Sequence, residues 1–423
     1  MSYKKKSAPP HAPASSTREK VLRCATLLTV PMARLAKLIL TAVLLFAAYW
    51  ALRLAWASHL FQRADAESIR RAADLVPMNA EYQARAGHLR RAIELNPYLA
   101  SAWIELGFTA EADGSHAEAE RLFLEAAKVD RTFEPRWTLA NFYFRRNRPG
   151  QFWQWIRLAA ERSYGSRDAI FRLCWRMSRD GAEILEKAIP DDPAILRDYV
   201  EFLVEQRKSA DAVPVALQLL PRAIVSQQAP FIRLIEQLLN EGETGPAVLL
   251  WNGLIKRGLL AFGPLDPGSG RLLTNQALAT APAGKGFDWR VHWLAGVESS
   301  YTFERQLRIT LNGKQDSFNE LLSQIVPAAG PGSFRFRYRY RTQDLPNPSG
   351  LHWQVWDVRR GRWIEARSQD LSAGQWREQE FRFTLPQGCG PVRLTLVYER
   401  ALGTVRSEGT LVLDGAFHLD PAS

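Results

Sequence analysis

From Leu38 to Leu52 the chain holds no charged residue, and Lys37 and Arg53 bracket the run. Apolar character resumes through Leu54, Ala55, Trp56 and Ala57. Counted from 35 to 57, with Lys37 and Arg53 extending to the two interfaces, the stretch reaches the roughly 20 residues that a helix needs to cross hydrocarbon. Tyr49, Trp50 and Trp56 gather towards one end, as an interfacial aromatic belt does. One transmembrane helix is therefore predicted over 35–57. From about 64 to 258 apolar positions recur three and four residues apart, which predicts a run of helices. Beyond 259 Gly and Pro rise, and alternation with a period of two takes over. Leu307, Ile309 and Leu311 alternate ahead of Asn312-Gly313, a turn signal that predicts a hairpin. Phe334, Phe336, Tyr338 and Tyr340 alternate with Arg335, Arg337, Arg339 and Arg341. Phe381, Phe383 and Leu385, then Val392, Leu394, Leu396 and Tyr398, then Leu411 and Leu413, continue the pattern. The predicted fold class is multidomain: one N-terminal transmembrane helix, an all-α solenoid, then an all-β sandwich over 268–420.

The helical region carries an internal period. Trp103 and Trp137 lie 34 residues apart, opening Trp103-Ile-Glu-Leu106-Gly107 and Trp137-Thr-Leu-Ala140-Asn141. Ala119, Phe123 and Ala126 follow Trp103, and Ala92 and Pro97 occupy the late positions of the preceding period. Small residues let paired helices approach closely, while Trp103 and Phe123 fill the space between them. These residues resemble the tetratricopeptide repeat (TPR), clearest over 100–133, with Arg131 standing where that repeat ends in Pro. Further copies are expected where Ala188–Pro193 leads into Tyr199–Leu203, and where 231–240 and 246–257 flank a Gly-rich turn. The resemblance implies a face that holds a protein partner. The candidate partner-binding residues are Phe144, Arg145, Arg146, Trp153 and Trp155, although helical packing accounts for the same aromatics. Trp153 and Trp155 cannot share one helix face.

The β region resembles the galactose-binding-like jelly roll of many carbohydrate-binding modules. The likeness rests on Phe287-Asp288-Trp289, the aromatic strand 334–340, Leu351–Val358 and Leu411-Val-Leu413-Asp414. It implies glycan binding through aromatics. Trp353 and Trp356, three apart in one strand, point to opposite faces, so either is a candidate stacking platform. Arg335, Arg337 and Arg339 are candidates to grip an anionic polymer, the alternative being an outer face paired with acids such as Glu378, Glu380 and Glu399.

Charge sharpens the membrane reading. The net charge is +11, but residues 1–37 hold eight Lys or Arg against Glu19 alone. The basicity thus belongs to a Pro/Ala/Ser-rich tail, read as disordered over 1–34, and not to a nucleic-acid-binding face. By the positive-inside rule the tail is cytoplasmic and the remainder lies across a bacterial inner membrane, in the periplasm. Ala55-Trp56-Ala57 ahead of Ser58 also fits a cleaved signal, against which stand the long leader and its bulky aromatics. Cys24, Cys174 and Cys389 are too widely spaced for a disulfide framework. No phosphate-cradling loop, HExxH, GxSxG or CxxC is present, so neither a cofactor, a metal nor a catalytic group is expected. The leading expectation is a non-enzymatic, membrane-anchored scaffold for envelope or exopolysaccharide assembly. A carbohydrate-binding protein is the alternative, and a glycan-active enzyme the second.

Overall fold

A computed structural model describes residues 17–225, 228–327 and 330–422, with side chains from residue 34 onward. The first 16 residues of the predicted tail lie outside the described residues. Two units follow, divided between Phe142 and Tyr143.

In the first unit, helix α1 (Thr17–Gln62) contains an apolar stretch, Arg34–Gln62, long enough to cross a membrane. The helix begins at Thr17, well inside the segment read as a disordered tail, because Val21–Val30 is mostly apolar and holds neither Gly nor Pro. It also runs past the predicted end at 57. Its last turns join the folded unit. Ala57 and Leu60 are buried against Ala72, and Phe61 packs on the Tyr82 ring at 4.6 Å. Helices α2 (Ala66–Leu75), α3 (Ala80–Arg85), α4 (Leu89–Leu95), α5 (Ala100–Ala112) and α6 (His116–Val129) then pack each on its predecessor. Asp65 and Asn79 cap α2 and α3 by accepting backbone N–H groups that have no partner within the helix. Gly107 of α5 lies against the Phe123 ring of α6, so close that an added Cβ would sit 2.5 Å from Phe123 Cε1. Gly107→Ala is thus expected to overpack this helix pair and destabilise the unit by about 1–3 kcal/mol, read as a lower unfolding temperature of the full chain.

Helix α7 (Phe133–Arg145) leads into the second unit. There α8 (Pro149–Arg162), α9 (Asp168–Met177), α10 (Gly181–Lys187), α11 (Pro193–Glu205), α12 (Ser209–Leu219), α13 (Gln228–Glu241) and α14 (Thr244–Lys256) form two layers. In one layer α9 packs on α11 and α11 on α13. In the other α8, α10, α12 and α14 follow in turn. This pairing of first helices with first and second with second is the stacking of a TPR-like solenoid.

The sandwich has two antiparallel sheets. One orders β1 (Arg290–Val291), β4 (Phe318–Val326), β9 (Val392–Glu399), β6 (Leu351–Asp357) and β7 (Arg362–Arg367) as β1-β4-β9-β6-β7. The other orders β11 (His418–Pro421), β5 (Gly332–Gln343), β10 (Glu408–Asp414), β3 (Gln306–Asn312) and β2 (Val297–Tyr301), with β8 (Arg377–Leu385) also paired to β5. The alternating residues Phe334, Phe336, Tyr338 and Tyr340 face inwards with Leu307, Ile309, Leu394 and Leu396. The hairpin expected at Asn312-Gly313 does not form. β3 pairs with β2 and β10, while Gly313, at φ 77°, turns the chain across to the opposite sheet as β4. Buried Gln315 secures that crossing by donating to the Ser407 carbonyl at 2.7 Å.

Solenoid and sandwich are interlocked within the second unit. Asn252 of α14 donates to the Leu265 carbonyl at 2.7 Å and accepts from its N–H at 2.8 Å. Glu236 of α13 accepts from the Gly286 N–H and, through both oxygens at 2.8 Å, from Arg290 of β1. Trp251 of α14 is wholly buried, stacked on Phe262 at 5.5 Å and edge-on to Phe287 at 5.7 Å. Gly286, at φ 54°, passes so close to the Trp251 ring that a Cβ there would lie 2.3 Å from Cζ3. Only glycine meets both demands.

Candidate functional site

The solenoid's first-helix layer and the linker to the sandwich enclose a groove of about 1060 Å3. α11 contributes Val204 and Glu205, α13 contributes Ala229, Ile232, Arg233, Glu236 and Gln237, and the linker contributes Leu260, Phe262 and Lys285. The lining repeats with helical period along α13: Ala229, Ile232, Arg233, Glu236 and Gln237 are spaced three and four apart, so one face of the helix looks into the groove. Apolar Ile232 and Phe262 sit among charges of both signs. Arg233 is held by Glu201 at 3.1 Å and Glu236 by Arg290, which leaves Glu205, Arg207, Glu241 and Lys285 as the other charged lining groups. An amphipathic trough of this kind suits an extended polypeptide, with backbone and side-chain groups meeting polar walls and an apolar side chain meeting Ile232. Trp251 lies at its floor.

The residues singled out from the sequence lie elsewhere. Phe144 is half-buried between Phe152, at 6.0 Å, and the Arg176 guanidinium, at 5.0 Å. Trp153 is not available to a partner: it is buried, packed edge-on to Phe152 at 4.8 Å. Trp155, on the other side of α8, is half-buried, Arg145 is exposed and Arg146 half-buried. The fold does not bring these five residues into the groove.

In the sandwich, Trp353 is no stacking platform. It is wholly buried between the sheets, edge-on to Phe336 at 4.9 Å and 6.1 Å from Trp289. Trp356 points outwards, as its spacing requires, but Trp363 of β7 packs on it at 5.1 Å and Arg393 lies 5.7 Å from its ring. The ring of Phe318, from β4, lies 6.3 Å from Trp363, and His352, Ser323 and Thr395 of the same sheet are buried. The arginine ladder is neutralised rather than open to a polyanion. Arg335 meets Glu380 at 3.8 Å, Arg337 meets Asp420 at 2.7 Å and Arg339 meets Asp414 at 3.2 Å. Arg339 and Arg341 also flank the Trp376 ring, each at 5.1 Å. Glu399 lies in the other sheet, where it accepts from Arg367 at 2.9 Å.

Burial, with the nearby Arg367 cation adding to it, lowers the His352 pKa to about 4. Its Nε2 has no hydrogen-bond partner, and the Glu399 carboxylate, 3.8 Å away, does not compensate. The unfolded chain, with histidine near its ordinary 6.5, binds the proton first as pH falls. Stability is therefore expected to drop between pH about 6.5 and about 4, by up to about 3 kcal/mol through this group. Denaturant midpoints followed by tryptophan fluorescence should show a flatter pH profile for His352→Gln.

Among the described residues no group of three or more His, Cys, Asp or Glu is placed to hold a metal ion. Cys174 is buried in α9, its thiol pushed up by burial, and Cys389 donates to Asp357 at 3.3 Å, with burial and that carboxylate raising it to about 11.

No protein-family model and no curated relative matches the chain. Among solved structures, a carbohydrate-binding module described as CBM4 is similar at 12% identity and a TM-score of 0.28, over 35% of this chain and 98% of that one. YrrB, described as a TPR protein with an unusual peptide-binding site, is similar at 13% identity and a TM-score of 0.19, over 46% and 87%. PilF of Pseudomonas aeruginosa is similar at 13% identity and a TM-score of 0.23, over 49% and 90%. The chain itself combines an apolar N-terminal helix, stacked helical hairpins and a two-sheet antiparallel β-sandwich.

The groove was not foreseen because its walls come from 204–207, 228–241 and 260–285, which share no motif. The one signal in the sequence was the amphipathic period of α13.

Proposed function

We propose that this protein is a non-catalytic, membrane-anchored adaptor that holds an extended segment of a protein partner in the groove along α13. The groove itself carries this reading: it is built on the solenoid's first-helix layer, and its floor is the junction that locks the solenoid to the sandwich. Apolar helix α1 serves as the anchor, with the basic tail in the cytoplasm and both folded modules in the periplasm of a bacterial envelope. Assembly of the envelope or of an exopolysaccharide is the setting this arrangement fits. Co-purification of the full chain from membranes, run beside Ile232→Arg, tests the reading. At least one protein is expected to disappear from the variant while the chain's own yield is unchanged; identical profiles would count against it.

A carbohydrate-binding reading draws on one observation outside the buried tryptophans. Trp293, in the turn between β1 and β2, is 86% exposed, a free aromatic surface of the kind that sugars stack on. If it serves that purpose, retardation of the full chain in gels containing a soluble polysaccharide should be lost in Trp293→Ala. Equal mobility with and without polysaccharide would remove this reading.

A further inference from the structure

The two edges of the first helical stack differ in character. α2 runs back along α1, and the Arg53 Nε donates to the Leu75 carbonyl at 2.7 Å. Helix direction then alternates through α6, which places the loops 76–79, 96–99 and 130–132 on the Arg53 edge. The loops 63–65, 86–88 and 113–115 fall on the opposite edge. That opposite edge is polar, carrying Arg63, Asp65, His88, Asp113 and Ser115. On the Arg53 edge the two loops nearest α1 expose large apolar side chains: Met78 is 73% and Tyr98 77% exposed. The third loop, farthest from α1 in the stack, is Asp130-Arg131-Thr132.

Arg53 also marks the end of the uncharged run. Its guanidinium donates to the Tyr49 hydroxyl at 3.0 Å and lies 5.0 Å from the Trp50 ring. Arginine, tyrosine and tryptophan gathered at the end of an apolar span are the side chains that settle at the headgroup level. A hydrogen bond from that arginine fixes the end of α2 at the same level, and the two loops nearest it expose Met78 and Tyr98.

We propose that this edge of the first repeats rests on the bilayer surface, with Met78 and Tyr98 seated among the lipid headgroups. The occupant is a lipid surface rather than a soluble partner because Arg53, which ties this edge to α1, also closes the uncharged run of that helix. The polar third loop marks where the contact ends. Such a contact would stand the first helices on the membrane instead of leaving them on a free tether. The proposal rests on the reading of α1 as a membrane anchor.

The test uses the full chain in vesicles of equal parts phosphatidylethanolamine and phosphatidylglycerol. p-Benzoylphenylalanine replaces Tyr98 or Met78 in separate preparations, Ser115 and Arg131 as references, and Leu44 within the span. After illumination, lipid adducts at 78 and 98 are expected at several times the yield at 115 and 131, and adducts at 44 report the anchor. Adducts at 44 with only reference yields at 78 and 98, or coupling of 78 and 98 to another protein in place of lipid, would overturn the proposal and leave the anchor standing. Absence of lipid adducts at 44 would overturn both.

Discussion

Trp251→Ala is expected to destabilise the second unit by about 3–5 kcal/mol, the range for removing a large aromatic from a closed core. The ring is wholly buried, and its contacts come from three directions: Phe262 stacks on it, Phe287 meets its edge and Gly286 lies against its rim. Truncation leaves a void bounded by the linker backbone, which is held at its ends by Asn252 and Glu236 and cannot simply collapse inwards. Because the same ring forms the floor of the groove, loss of partner binding should accompany loss of stability. Chemical denaturation with circular dichroism at a helical wavelength reads the first effect, and co-purification the second. A variant with wild-type stability would contradict the interlocked junction described above.

Trp353→Ala is expected to have an effect of similar size, about 3–5 kcal/mol, in the sandwich. Its indole packs with Phe336 and Tyr338 of the facing sheet, with Trp289 in the segment leading into β1 and with Phe417 in the closing segment. Trp356→Ala, three residues along the same strand, removes a half-buried ring from the outer face and is expected to cost less than half as much. The pair separates two roles for an aromatic strand. If Trp353 were an exposed sugar platform, its removal would leave stability untouched; a core role requires the opposite order, measured as the change in denaturation midpoint.

How legible this molecule was depended on the range of the interactions. The 34-residue period marked by Trp103 and Trp137 was visible because each repeat is a local unit, and Gly107 faces Phe123 within one helix pair. The inward face of β5 was equally plain, since Phe334, Phe336, Tyr338 and Tyr340 alternate without interruption. Spacing alone set Trp153 and Trp155, or Trp353 and Trp356, on opposite faces. It does not say which face the rest of the chain covers, and the covered residues prove to be Trp153 and Trp353. The arginine ladder misled for a related reason. Two of its acidic partners, Asp414 and Asp420, come from β10 and β11, which reach β5 only after the whole sandwich has closed. Asn312-Gly313 does turn the chain, as its sequence predicts, but the pairing of β3 with β2 and β10 sends the next strand to the other sheet.

The most direct test of the adaptor reading places p-benzoylphenylalanine at position 232, in the groove, or at 249, exposed on α14 outside it. The full-length chain is illuminated in native membranes. A discrete adduct to one partner protein is expected from position 232 and none from 249. No adduct at 232, or the same adducts at both positions, would contradict the claim that this groove is where the protein does its work.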